Sequence, residues 1–187
     1  MAGLSFNLHE TVDPLVVADE AAVTLATTYK ALMPAARYSG LGTQFFNKTG
    51  RRLRIRAFGK ITTALTPGNG QIGILWGTGA DNNGVNVVQS AAFALIASQT
   101  NLSWNAEFYI HSRSLGATGT LFGTGWIEFN LGVVASASQP LMIPPSAAVV
   151  SAACDLTGTL LPSLQFLRSG STAETMTVQD YDISPMS

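Results

Sequence analysis

At 187 residues the chain has the length of one ordinary domain, enough to bury a core without disulfides or metals. Hydrophobic residues make up 47% of it and Asp, Glu, Lys and Arg only 11%, which excludes disorder and a coiled coil. A net charge of -1 removes the bulk electrostatic case for direct nucleic-acid binding, whose affinity comes from neutralised phosphates.

With so little charge, Ser, Thr, Asn, Gln and 18 glycines must cover the surface, or an assembly must hide part of it. In chain order, residues 1–22 lack periodicity and carry Pro14, which predicts an extended N-terminal arm ahead of a single sandwich domain over residues 23–187. The arm holds Glu10, Asp13, Asp19 and Glu20 with no Lys or Arg, whereas every charged residue from 21 to 80 is basic. That segregation can be neutralised within the fold or, the reading preferred, between neighbouring subunits that the arm reaches. The start has neither the basic nor the apolar part of a secretory signal, and no apolar run approaches the roughly 20 residues that span a bilayer. The expectation is a chain made and folded in a cytosol, with no membrane partner.

Leu53, Ile55, Ala57 and Ile61 alternate with Arg52, Arg54, Arg56 and Lys60, so a period of two puts an apolar row on one face and a cationic row on the other. Thr66 to Gly70 supplies turn chemistry, and Gln71 to Trp76 reads as the returning strand of a hairpin. Gly77 to Gly84 is a second loop, followed by a strand over Val85 to Ala97. Trp104, Ala106, Phe108 and Ile110 then alternate with Ser103, Asn105, Glu107, Tyr109 and His111 in a long strand. After a turn, Leu121, Ile127 and Phe129 oppose Phe122, Trp126 and Glu128, with Gly123 and Gly125 marking a bulge or a close backbone approach. Pro140 to Pro145 suits an edge or loop, and Leu160 to Arg168 and Thr175 to Ile183 close the fold. Some eight to ten strands joined by Gly, Pro and Asn turns predict an all-β fold, an antiparallel β-sandwich of jelly-roll type.

Chemistry is sparse. HETVD, from His9, opens like a zinc-protease helix but has Asp13 where the second His must stand, and the other histidine, His111, lies on a strand. GTGADNNG has the glycines of a phosphate loop without its Lys and Ser or Thr. Glu107 and Glu128 read as outward residues on a sheet rather than a glycosidase pair, and Cys154 as a buried thiol. The reading is a non-enzymatic chain with no cofactor and no metal.

Arg51, Arg52, Arg54, Arg56 and Lys60 carry half of the 10 basic charges, which makes them, with Glu10 and Asp13 on the arm, the candidates for a protein interface. Three readings stay open for the row: a solvated strand face, a docking surface for an acidic protein or subunit, and nucleic acid, the last weakened by a lack of interleaved aromatics. Trp76, Trp104 and Trp126 would have to reach the surface for a carbohydrate-binding module, and core packing is the commoner fate of strand tryptophans.

RIRAFGKITTALTPGNGQIGILWG, residues 54–77, with AAFALIASQTNLSWNAEFYIHSRSLGATGTLFGTGWIEF, residues 91–129, resembles a group of tailed-bacteriophage virion proteins of β-sandwich type that recur in phages of actinobacteria and their relatives. The matching features are the basic strand ending in Gly59 and Lys60, the turn from Thr66 to Gly68, the strand entry at Leu102 to Trp104 and the segment from Arg113 to Gly119. They cover about residues 50–130 and are packing and turn features. The resemblance implies a capsid decoration protein, often trimeric, attached to the exterior of a shell of the HK97-type major capsid protein after assembly in the host cytoplasm; some relatives belong to the tail.

Overall fold

The computed structural model describes residues 19–34, 45–130, 132–135, 139–170 and 174–186. Eleven strands, and no helix, are formed among them: β1 (Val23–Thr24), β2 (Lys30–Ala31), β3 (Arg52–Thr62), β4 (Asn69–Gly77), β5 (Val85–Gln89), β6 (Phe93–Ala94), β7 (Leu102–Ser114), β8 (Thr120–Phe129), β9 (Leu141–Ile143), β10 (Leu161–Arg168) and β11 (Thr175–Met186). Every pairing is antiparallel, in a six-stranded sheet of order β1-β11-β3-β7-β8-β9 and a five-stranded one built on β2-β10-β4-β5, with β6 also pairing β4. The fold is an all-β sandwich.

Period-two alternation builds the core between the sheets. Leu53, Ile55, Trp104, Phe108, Ile110, Leu121 and Ile127 point in from the larger sheet, and Ile72, Ile74, Trp76, Leu164 and Phe166 from the smaller. Both glycines expected to mark a close approach do so: a Cβ on Gly123 would lie 2.7 Å from Val88 Cβ, and one on Gly125 2.4 Å from the Glu107 carbonyl oxygen. Cys154 is buried beside Gly119, with desolvation pushing its thiol pKa up.

Two expectations about connection change. β3 and β4 are not a hairpin, because β3 lies in the six-stranded sheet and β4 in the other, so Thr63 to Gly68 carries the chain across the core. Alternation shows that both strands have an apolar face but not that the two faces meet each other from opposite layers. The expected strand over Val85 to Ala97 is likewise two, β5 and β6, because Ser90 turns inward: its Oγ accepts from Ile72 N at 3.1 Å and its own N donates to Ile72 O at 2.8 Å.

Of the expected arm, residues 1–18 lie outside the described residues, and Glu10 and Asp13 with them. Asp19 to Ala22 run beside β11, with Glu20 N donating to Val178 O at 2.9 Å. At the other edge β9, three residues long and bordered by Pro140 and Pro144, matches the expected edge segment.

Candidate protein-interaction face

The outer face of the six-stranded sheet is where the basic row lies. Arg52, Arg54, Arg56 and Lys60 are on it, as is Phe58, which is 43% exposed. Arg51 is not: its Nη1 donates to Phe45 O at 2.7 Å and Asn47 Oδ1 at 3.0 Å, and its guanidinium sits 4.1 Å from the Phe45 ring centre, which pins the loop before β3.

Strand register turns the row into a two-dimensional surface. One cross-strand line runs Met186, Arg52, His111, Phe122; the next Ser184, Arg54, Tyr109, Thr124; the third Asp182, Arg56, Glu107, Trp126, Met142; the fourth Asp180, Phe58, Asn105, Glu128. The aromatics said to be missing from this face are therefore present, one within the row as Phe58 and the others on β7 and β8. A strand read alone shows only its own outward residues, and Phe58 occupies a position where the alternation leads one to expect charge. Trp104 and Trp76 are buried, so of the three tryptophans Trp126 alone reaches this surface.

A bulge decides the acidic side of the face. Gln179 is an extra residue on β11 opposite β3, so inward parity passes from Met176 and Val178 to Tyr181 and Ile183. Asp180, Asp182 and Ser184 are thereby turned outward. The bulged Gln179 also donates from Nε2 to Asp19 Oδ1 at 3.0 Å.

Most of the row is neutralised within the chain. Arg56 Nε is 3.3 Å from Glu107 Oε2 and Arg54 Nη2 3.6 Å from Asp182 Oδ2, while Lys60 Nζ is 2.7 Å from Asp19 Oδ2. Tyr109 donates its hydroxyl to Glu107, and that charge-assisted bond raises the phenol pKa. Hydrogen bonds from Lys60 and Gln179 hold Asp19 below the usual carboxylate range. The Lys60 end borders an open cleft of about 300 Å³ lined by Glu20, Asn101, Thr175 and Thr177 among others.

The two ends of the face differ. At one, the guanidinium of Arg113 lies 4.5 Å from the Phe122 ring centre and the His111 ring stacks on the same Phe122 with centroids 4.9 Å apart. Burial and the neighbouring charges of Arg113 and Arg52 hold His111 below the ordinary imidazole pKa. At the other end stand Glu128 and Asp180, both exposed. Among the described residues Arg52, Arg113, Glu128 and Asp180 form no ion pair.

Glu107 and Glu128 do not make a carboxylate pair, since they oppose Trp126 and Asn105 respectively and Glu107 is held by Arg56 and Tyr109. The loop at Gly77 to Gly84 is a structural turn: Asp81 accepts from Lys30 Nζ at 2.6 Å and Ala31 N at 2.9 Å, which ties it to β2. No group of three or more His, Cys, Asp and Glu that could hold a metal occurs among the described residues. What the face can do chemically is bind through charge pairs and aromatic contact. No family model matches the chain, and a search of curated proteins finds no match either.

Proposed function

We propose that the chain is a non-enzymatic structural protein of a tailed-bacteriophage virion, a decoration protein on the capsid exterior that binds and stabilises a lattice of HK97-type major capsid protein. The observation that carries the reading is the open, aromatic and charged face of the six-stranded sheet, an adhesive surface of the kind an assembly component needs. The resemblance over residues 50–130 and the low overall charge support it. The strand order supports the jelly-roll assignment, since β1-β11-β3-β7 faces β2-β10-β4-β5 with β8 and β9 added at one edge. Self-association, as the trimer common among the proteins it resembles or through another contact, belongs to the same reading.

A second reading, a tail-associated or carbohydrate-binding module, is favoured by Trp126, which stands part-exposed beside Met142 on the open face and could stack on a sugar ring. Cosedimentation of the purified chain with phage heads lacking it separates the two. The decoration reading expects saturable binding at a fixed ratio to capsid subunits; binding to tails or to glycan beads with none to heads sinks it.

A further inference from the structure

The outer face of the six-stranded sheet carries two uncompensated cations at one end and two uncompensated anions at the other. Arg52 stands on the first cross-strand line with Arg113 just beyond it, and Asp180 and Glu128 stand on the fourth. Between the ends the charges cancel, Arg54 against Asp182 and Arg56 against Glu107. From Arg52 to Phe58 is six residues of one strand, so the two lines are about 20 Å apart at the usual rise per residue.

Such a face complements itself. Two copies stacked face to face about an axis lying in the interface can meet in two simple ways. If the axis runs along the strands, like ends meet and Arg52 and Arg113 of the two copies repel. If it runs across the strands, each strand lies over its own counterpart in reverse, and the first line of one copy covers the fourth line of the other. Arg52 on β3 then faces the neighbourhood of Asp180 on adjoining β11, and Arg113 on β7 that of Glu128 on adjoining β8. Two-fold symmetry makes each pair twice.

The apolar groups suit the same arrangement. Phe58 and Met142, exposed at 43% and 65%, with Trp126 and Phe122, give the face a contact area that the charges alone would not. Four long strands at about 4.8 Å spacing and roughly ten residues each span on the order of 700 Å², close to one side of a standard interface. The edges offer less: β1 has two residues and β9 three, the latter bordered by proline. Nucleic acid fits poorly, because Glu107, Glu128, Asp180 and Asp182 are interspersed among the arginines and would oppose a continuous phosphate backbone.

We propose that this face pairs two copies of the chain about a two-fold axis lying across the strands, the Arg52 and Arg113 end of each over the Glu128 and Asp180 end of the other. The proposal rests on the reading of this face as an assembly surface and names its occupant. Pairing also doubles the attachment points a decoration unit offers to a lattice.

Charge reversal tests it. The full-length chain is compared by sedimentation equilibrium across the micromolar range with two double variants, Arg52→Glu with Arg113→Glu, and Glu128→Arg with Asp180→Arg. All four residues are exposed and unpaired, so both variants should keep the wild-type thermal transition, which is measured alongside. The wild type should form a dimer that weakens with added salt. Each double variant alone should self-associate more weakly by on the order of a hundredfold, since both ends of its face then carry one sign. Mixing the two should restore a dimer containing one of each, detected by labelling one variant. A monomeric wild type, an oligomer indifferent to both sets of substitutions, or a mixture that stays monomeric overturns the pairing. A wild type that is monomeric yet binds phage heads also overturns it while leaving the virion reading intact. A charge-swapped pair that forms although no head is ever bound sustains the pairing and removes the virion reading.

Discussion

The two outer faces of the sandwich handle polarity in opposite ways. On the five-stranded sheet, Ser163 and Gln165 point away from the core yet are fully buried, because the loop at residues 77–84 folds over them. Gln165 accepts from Asn82 N at 3.0 Å and donates to Ala80 O at 3.0 Å and Ser163 Oγ at 3.2 Å. That side is closed by the chain's own hydrogen bonds. On the six-stranded sheet the outward side chains pair with each other across strands in contact with water and no described loop crosses them. A polar side chain is structural on one face and available on the other, and the difference is set by whether a loop covers it.

Breaking buried pairs should therefore cost far more than breaking exposed ones. The largest effect is expected at the ion pair of Arg168 with Glu174, 2.8 Å apart and 8% and 0% exposed, where Arg168 also donates to Leu25 O at 2.9 Å and Gly170 O at 2.7 Å. Glu174→Gln leaves the buried guanidinium uncompensated and should lower unfolding free energy by about 3–5 kcal/mol, measured by urea denaturation. Next comes the closed face: Gln165→Ala strands Asn82 N and Ala80 O under the loop and should cost about 1–3 kcal/mol by the same assay. On the open face, Arg56→Ala removes a pair whose arginine side chain is 56% exposed, and the loss should stay within about 0.2–1 kcal/mol and shrink with salt. A loss at Arg56 as large as that at Gln165 would erase the contrast.

Two pH effects refine it. Burial alone would raise the Asp81 pKa, but the bonds from Lys30 and Ala31 outweigh burial and hold it below its ordinary 3.8. A depressed folded value means stability that is present above the ordinary value and is lost as pH falls through the folded one. Asp81→Asn should therefore flatten the acid limb of a melting-temperature profile. His111 behaves oppositely. With its folded pKa below 6.5, the unfolded chain binds more protons in that window, so stability falls as pH drops below about 6.5, and His111→Gln should remove that slope. These are the smallest shifts expected, since both groups are largely solvated.

Much of the fold is legible in the residues themselves. The alternation at Leu53 to Ile61, at Trp104 to Ile110 and at Leu121 to Phe129 assigns the inward and outward sets that the structure displays. Layer assignment is not legible, because Ile72, Ile74 and Trp76 have the same period whether β4 pairs with β3 or faces it across the core. Nor is the bulge at Gln179, which carries no glycine or other marker and yet turns Asp180 and Asp182 to the surface. The interaction face lies furthest from the sequence: Arg56, Glu107, Trp126 and Met142 are neighbours only through the register of four strands. Phe58, by contrast, was within reach, standing at an outward position between Arg56 and Lys60.

The account depends most on the open face being covered by protein in the assembled state. Oxidative footprinting of Met142, 65% exposed at the edge of that face, reads this directly, with Leu65, 79% exposed in the turn between β3 and β4, as the internal reference. The account predicts that Met142 oxidises readily in dilute protein and becomes protected relative to Leu65 as concentration rises through the association range. Equal reactivity of Met142 in dilute and fully associated protein would contradict it.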